Sequence, residues 1–160
     1  MQIRKAKAEE LDSILDIYSG AREFMRSTGN VEQWSGNYPG KQDILSDIEQ
    51  GALYLCCEGE ELHGVFYFKV GDDPTYGKIY EGKWLDEGPY GVIHRVAVKT
   101  PGRRVAATIF EYCFGISKSL RIDTHRDNAP MRTALSKWGF KYCGIIHLAN
   151  GHERLAFQRV

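Results

Sequence analysis

Three features of this 160-residue chain predict a mixed α/β fold. Strand-like and helix-like segments follow in the order strand, two helices, three or four strands, helix, strand, helix, two strands. No internal repeat, low-complexity stretch or linker separates them, so residues 1–160 read as one domain. The chain is 42% hydrophobic and 26% charged, enough to bury a core and too apolar for disorder.

The elements justify themselves in turn. Gln2 to Lys7 alternates polar and apolar, the pattern of a short strand. From Ala8 to about Arg26, Leu11, Ile14, Leu15, Ile17, Tyr18, Ala21, Phe24 and Met25 recur at helical spacing, with Glu9, Glu10 and Asp12 at the positive end of the dipole. Ser27-Thr28-Gly29-Asn30 stops this helix, and the stretch from Val31 to Lys41 is irregular but aromatic. A second helix is expected over about Gln42 to Gln50, broken by Gly51. Ala52 to Glu58 and Leu62 to Val70 read as strands around a turn at Glu60-Glu61. Gly71-Asp72-Asp73-Pro74 is turn chemistry. Ile79 to Leu85 is either a further short strand or an excursion. Tyr90 to Val98 is β-rich.

After Lys99-Thr100-Pro101-Gly102 the period becomes helical, with Val105, Ile109, Cys113, Ile116 and Leu120 as one apolar stripe. Arg121 to Thr124 is a short strand. Asp127-Asn128-Ala129-Pro130 offers an N-cap and a first-turn proline for a helix that runs to about Trp138 and ends at Gly139. Phe140 to His147 and Glu153 to Gln158 are closing strands, joined by a tight turn at Asn150-Gly151.

Lys+Arg and Asp+Glu both number 21, a net charge of zero that argues against nucleic acid or an anionic membrane as the main partner. No run of about 18 apolar residues occurs, and Met1 to Lys7 leads into acidic residues without an apolar signal segment. A cytoplasmic protein is expected. Cys56, Cys57, Cys113 and Cys143 form no CxxC and sit among apolar residues, as reduced structural thiols do. The five histidines show no HxH or HExxH spacing, so no metal site is expected. A dinucleotide fold is disfavoured, because no GxGxxG follows the first strand.

The run from Ile93 to Phe140 resembles the GNAT family of acetyltransferases. The strand IHRVAV (Ile93 to Val98), a loop, a long helix, the strand RIDTH (Arg121 to His125), DNAPM (Asp127 to Met131) and a helix ending KWGF (Lys137 to Phe140) occur in that family's order. The resemblance implies a central mixed sheet of six or seven strands flanked by about four helices. It also implies acetyl-CoA as co-substrate, held where Tyr90–Val98 and Arg121–His125 splay apart. Backbone groups of Val96 and Val98 would bond the pantetheine arm, and the pyrophosphate would rest on amides opening the next helix.

The phosphate loop departs from the family pattern of Arg/Gln-x-x-Gly-x-Gly/Ala. Pro101 stands for the Arg or Gln and removes an amide donor, and Arg104 stands for the central Gly. Gly102 and the small Ala106 are kept, and Val105 lies between. Arg103 and Arg104 either supply charge to the phosphates or mark a degenerate site. Asn128 matches the family's cofactor-bonding Asn and is also a fitting N-cap.

Leu135 takes the place of the Tyr that protonates the departing thiolate in many family members, so that acid is absent. His94 is the candidate general base, on the wedge strand and with an ordinary pKa near neutrality; a packed sheet histidine is the competing reading. His125 ends the other wedge strand and is the second catalytic candidate, placed to contact substrate or thioester; a strand-end histidine in a polar turn is the competing reading. Trp34 and Tyr38, in the irregular segment, are the candidate acceptor-binding residues. The expected activity is direct acetyl transfer from acetyl-CoA to a small-molecule amine or an amino terminus, by a monomer or homodimer. The alternative is a catalytically degenerate CoA-binding or regulatory module.

Overall fold

The computed structural model describes residues 1–160 and contains one seven-stranded mixed sheet in the order β1-β2-β3-β4-β5-β7-β6. The strands are β1 (Gln2–Lys5), β2 (Leu53–Glu58), β3 (Glu61–Val70), β4 (Gly91–Val98), β5 (Leu120–Thr124), β6 (Lys141–His147) and β7 (Glu153–Arg159). The helices are α1 (Leu11–Ser27), α2 (Lys41–Glu49), α3 (Val105–Ile116) and α4 (Ala129–Lys137). All neighbouring strands run antiparallel except β4 and β5, which are parallel.

Each helix buries the stripe its sequence dictates. In α1 the buried residues Ile14, Ile17, Tyr18 and Ala21 recur at spacings of three and four. Glu10, just before the helix, accepts a bidentate pair from Arg4 at 2.9 and 2.7 Å and also the Lys7 amide, which ties β1 to the helix start. Helices α1 and α2 cover one face of the sheet, where Ile14, Ile17, Tyr18, Ile44, Leu53, Leu55, Val65 and Ala97 pack together. The other face carries α3 and α4 over Phe66, Phe68, Ile93, Ile109, Phe110, Leu120, Leu135 and Phe140.

The structure corrects one sequence expectation and gives detail to two others. Leu120 is the first residue of β5 rather than part of the helical stripe, and Ile116 is exposed, because α3 ends at Ile116 and the chain turns back through Ser117. Ile79 to Leu85 is an excursion that touches the sheet by a single bridge, Tyr80 to Ile145. The last hairpin is not a two-residue turn. Gly151 donates to the Leu148 carbonyl and Leu148 to that of His152, with Gly151 at φ 87°, so the loop is a turn closed by a glycine in the left-handed region.

Two irregularities shape the middle of the sheet. The parallel pair β4–β5 is joined only at Gly91–Leu120 and Val92–Arg121, so the strands part beyond Val92. On the other side of β4, Tyr67 faces His94 but Val65 faces Ala97, so two residues of β4, Arg95 and Val96, oppose one of β3. Arg95 adopts φ 49°, the left-handed conformation that opens such a bulge. The buried Tyr18 hydroxyl donates to the Arg95 carbonyl at 2.8 Å and holds it there.

All four cysteines are free and buried. Burial pushes the Cys56 thiol up to about 12 and that of Cys113 further, so both are inert packing groups at neutral pH. No helix is long and apolar enough to cross a membrane.

Candidate active site

Where β4 and β5 separate, two cavities meet. One, of about 710 Å³, runs between α1 and α4 and is lined by Val96, Ala97, Val98, Pro101, Ala106 and Met131, among others. The second, of about 550 Å³, lies beyond it and is walled by Trp34, Tyr38, Asp73, His94, Asp123 and Arg154, among others. Met25, Val96, Asn128 and Met131 belong to both, so the two form one passage through the wedge.

The first cavity is an elongated groove beside the free edge of β4. The β5-facing edge of β4 beyond Val92 has no strand partner, which leaves backbone donors and acceptors along the groove floor. At its mouth α3 begins. Thr108 is the first residue of that helix to make the helical bond, to the Arg104 carbonyl, so the preceding amides have no intrahelical acceptor and point towards the loop. Such a helix start attracts phosphate through its dipole.

The arginines of this loop do not line the groove. Arg103 pairs with Glu58 at 3.3 Å, both side chains about half exposed. Arg104 is the N-cap of α3 at φ 56°, and its guanidinium lies over the Trp138 ring, 5.4 Å from the centroid. Val105 is buried with its Cγ1 where a Cβ on Gly64 would sit, so it supports the loop from beneath. Gly102 has φ 81° and open space around it, a position suited to a loop that must stay thin. Val96, Val98, Ala106 and Asn128 do line the groove.

Asn128 joins the two halves of the passage. Its Oδ1 caps α4 by accepting from the Met131 amide at 3.1 Å, while its Nδ2 donates to Gln33 Oε1 at 2.9 Å. Gln33 Oε1 also accepts from Asn30 at 2.9 Å, so one amide oxygen fastens the irregular segment across the wedge.

The second cavity gathers titratable side chains. His94 Nε2 donates to Asp73 Oδ2 at 2.7 Å, which places the lone pair of the neutral ring on Nδ1. Nδ1 lies 3.7 Å from Asp123 Oδ1, and the buried Tyr76 hydroxyl donates to that same oxygen at 2.6 Å. Burial pushes the Tyr76 phenol well above its ordinary value, so it remains a donor. Burial also opposes charge on Asp73, but hydrogen bonds from His94 and Thr75 outweigh it and bring the carboxyl down to about 2.

The sign of that shift fixes a pH dependence. A carboxyl depressed in the folded state stabilises it above the ordinary value of 3.8 and loses that contribution as pH falls towards 2. Wild-type protein is therefore expected to lose roughly 2 kcal/mol between pH 5 and pH 2 that Asp73→Asn does not lose. Urea unfolding at stepped pH measures this; parallel curves for the two proteins refute it.

Trp34 is buried and meets Tyr18 and Tyr38 edge-on at 5.6 and 6.5 Å between centroids, so the irregular segment forms an aromatic wall. The Tyr38 hydroxyl accepts from Arg95 Nη1, and Arg95 binds the buried Asp47 of α2 in bidentate fashion at 2.8 and 2.9 Å. His125 does not face His94. Its Nδ1 accepts the Asp127 amide at 3.0 Å in the turn before α4, and it lines a separate polar hollow. Burial lowers its pKa, which favours the neutral acceptor. Leu135 is fully buried in the core under α4, so no side chain there reaches the passage.

Asp73, Tyr76, Asp123, Gln33 and Arg154 were not singled out by the sequence. Asp73 reads as a turn residue. Asp123 carried a usable signal, a carboxylate in the middle of an otherwise buried strand.

No family model matches the chain, and no curated protein matches it. Solved structures do. An acetyltransferase of the GNAT family from Streptococcus agalactiae 2603 is 36% identical over 99% of this chain and 94% of that one, with a TM-score of 0.90. A GNAT-family acetyltransferase from Listeria monocytogenes 4b F2365 is 19% identical, over 99% of this chain and 93% of that one, at TM-score 0.72. An N-acetyltransferase from Staphylococcus aureus Mu50 is 18% identical, over 99% and 96%, at TM-score 0.66. These last two likenesses speak to the fold alone.

Proposed function

Because the chain belongs to the GNAT family of acetyltransferases, we propose that it moves an acetyl group from acetyl-CoA directly to the amine of a small molecule or amino terminus, with His94 as general base. One observation carries this reading: His94 is held between two carboxylates in a cavity that opens onto a groove between parted strands.

The residues present fit the donor. The free edge of β4 at Val96 and Val98 suits the amides of a pantetheine arm, the small Ala106 leaves room, and the amides opening α3 suit a pyrophosphate. Acetyl-CoA supplies an acetyl group activated as a thioester.

The chain's own groups then divide the work. An amine arrives protonated at neutral pH and must lose a proton before it attacks a carbonyl. Nδ1 of His94 takes that proton. Asp73 fixes the tautomer through Nε2, and Asp123, steadied by Tyr76, faces the imidazolium that forms. Trp34 and Tyr38 exclude water on the acceptor side. As the new C–N bond forms the C–S bond breaks, and the proton that the acylated nitrogen still has to shed goes to the departing thiolate, so that CoA would leave as the thiol. The four unpaired buried thiols support a reducing compartment, the cytoplasm, as the place of work.

Calorimetry with acetyl-CoA, followed by a free-thiol assay over an amine panel, tests this. Saturable binding and amine-dependent thiol release are expected. A flat isotherm overturns the proposal, and binding without release favours a CoA-binding module, a reading motivated by the altered phosphate loop and by the buried Leu135 where many family members carry a Tyr.

A further inference from the structure

We propose that the acceptor is an amine that also bears a carboxylate, a free amino acid or a close analogue, and that Arg154 receives the carboxylate. The placement of the amine end beside His94 rests on the acetyl-transfer reading above; the placement of the anion does not.

Arg154 lies on β7 in the wall of the acceptor cavity and is only 6% exposed. A buried cation is normally paired, since removing it from water costs several kcal/mol that one or two neutral hydrogen bonds do not offset. The other deeply placed arginines have a carboxylate or aromatic faces against them. Arg95 has the bidentate carboxylate of Asp47. Arg121 is sandwiched between Trp84 and Tyr90, 4.2 and 3.9 Å from the ring centroids. Arg154 has neither. No carboxylate oxygen comes within 4.0 Å of its nitrogens, and its protein partners are two backbone carbonyls, those of Glu153 and Gln33. Those satisfy two of the five N–H donors of a guanidinium. Burial accordingly pulls its pKa down, only partly countered by the nearby Asp123, Tyr38 and Glu32.

Sheet register places this cation near Asp123, the carboxylate beside His94. Asp123 of β5 faces Ala156 of β7, so Arg154, two residues along, points to the same face as a diagonal neighbour. Diagonal side chains sit about 7–8 Å apart at their origins, a span that a guanidinium and an amino acid fill together. The cavity is therefore polarised. Asp73, His94 and Asp123 form one end, suited to an ammonium, and Arg154 forms the other, suited to a planar anion bound in bidentate fashion. Its volume of about 550 Å³ limits the ligand to a small molecule.

The test uses pairs of ligands that differ at the anion alone. The CoA-saturated protein is titrated by calorimetry with each of the common amino acids and with its carboxamide, and thiol release from acetyl-CoA is read in parallel. At least one amino acid is expected to bind about tenfold or more tighter than its carboxamide, as loss of a desolvated ion pair requires. Arg154→Gln should bring that ratio towards one, and Arg154→Lys should keep part of it. If no amino acid outbinds its carboxamide, or if the ratio survives Arg154→Gln, the proposal is overturned. A preserved ratio without any thiol release would sink the acetyl-transfer reading and leave the carboxylate site standing. Should Arg154→Gln fail to fold, the wild-type pairs and Arg154→Lys still decide the matter.

Discussion

Replacing His94 by alanine is expected to lower kcat for acetyl transfer by roughly 10²–10⁴-fold, the usual worth of a positioned general base, while the affinity for acetyl-CoA stays unchanged. The separation follows from geometry. His94 lines the second cavity and not the groove proposed for acetyl-CoA, and its ring contacts Asp73, Asp123, Tyr67 and Tyr76. Nothing in the groove is removed by the change. The loss should be greatest at low pH, where the acceptor is almost entirely ammonium, and should shrink as pH approaches the acceptor's own pKa and free amine becomes abundant. Steady-state rates over pH 6 to 10 with one good amine measure it. Unchanged turnover across that range would remove His94 from the mechanism.

Asp47→Ala is expected to destabilise the protein by about 3–5 kcal/mol, the range for stripping one partner from a buried ion pair. Asp47 and Arg95 have side chains only 6% and 18% exposed, and the two hydrogen bonds between them are short. Burial already pushes the Asp47 carboxyl up against the pull of Arg95, so the pair is costly to build and costlier to break. Without Asp47, Arg95 keeps the Tyr38 hydroxyl and the Tyr67 face, neither of which carries a full negative charge. A fall in Tm of roughly 6–20 °C corresponds to that range for a chain of this size. The double variant Asp47→Leu/Arg95→Met should recover much of the loss, because it leaves no orphaned charge. A single variant within 1 kcal/mol of wild type, measured by urea unfolding, would show that Arg95 finds water or another partner.

The elements were legible because their signals are local. Ile14, Ile17, Tyr18 and Ala21 announce the buried stripe of α1, and Asn128 with Pro130 announces the start of α4 in the residues themselves. The failures are also instructive. Leu120 continues the helical period of α3 arithmetically, yet Ser117 takes an extended conformation and resets the direction of the chain. The groove between the parted strands was legible in part, since the parting of β4 and β5 depends on a strand order that the family resemblance implies. The candidate site around His94 was mostly not. Asp73 comes from a turn, Asp123 from β5 and Arg154 from β7, and only the assembled sheet makes them neighbours of His94. Sequence spacing carries no trace of that convergence. Arg103 and Arg104 illustrate the converse, where two cations adjacent in sequence diverge to Glu58 and Trp138.

The bulge at Arg95 has a consequence for the parity of β4. In an unbroken strand, side chains two apart share a face. Here His94 and Ala97, three apart, are both set opposite β3 residues of one face, while Ile93 and Val96 both join the core on the other. The strand thus changes phase once, between the half that carries His94 and the half that carries the Val96–Val98 edge. Removing one residue at this point would restore regular alternation, and the two halves would then no longer match. Either His94 or the Val96–Val98 edge would be turned to the wrong side, with the hydrogen-bonded ladder otherwise intact. A left-handed residue that costs about 1 kcal/mol acts as a phase shifter, letting one strand present His94 to one cavity and the unpaired Val96–Val98 edge to the other.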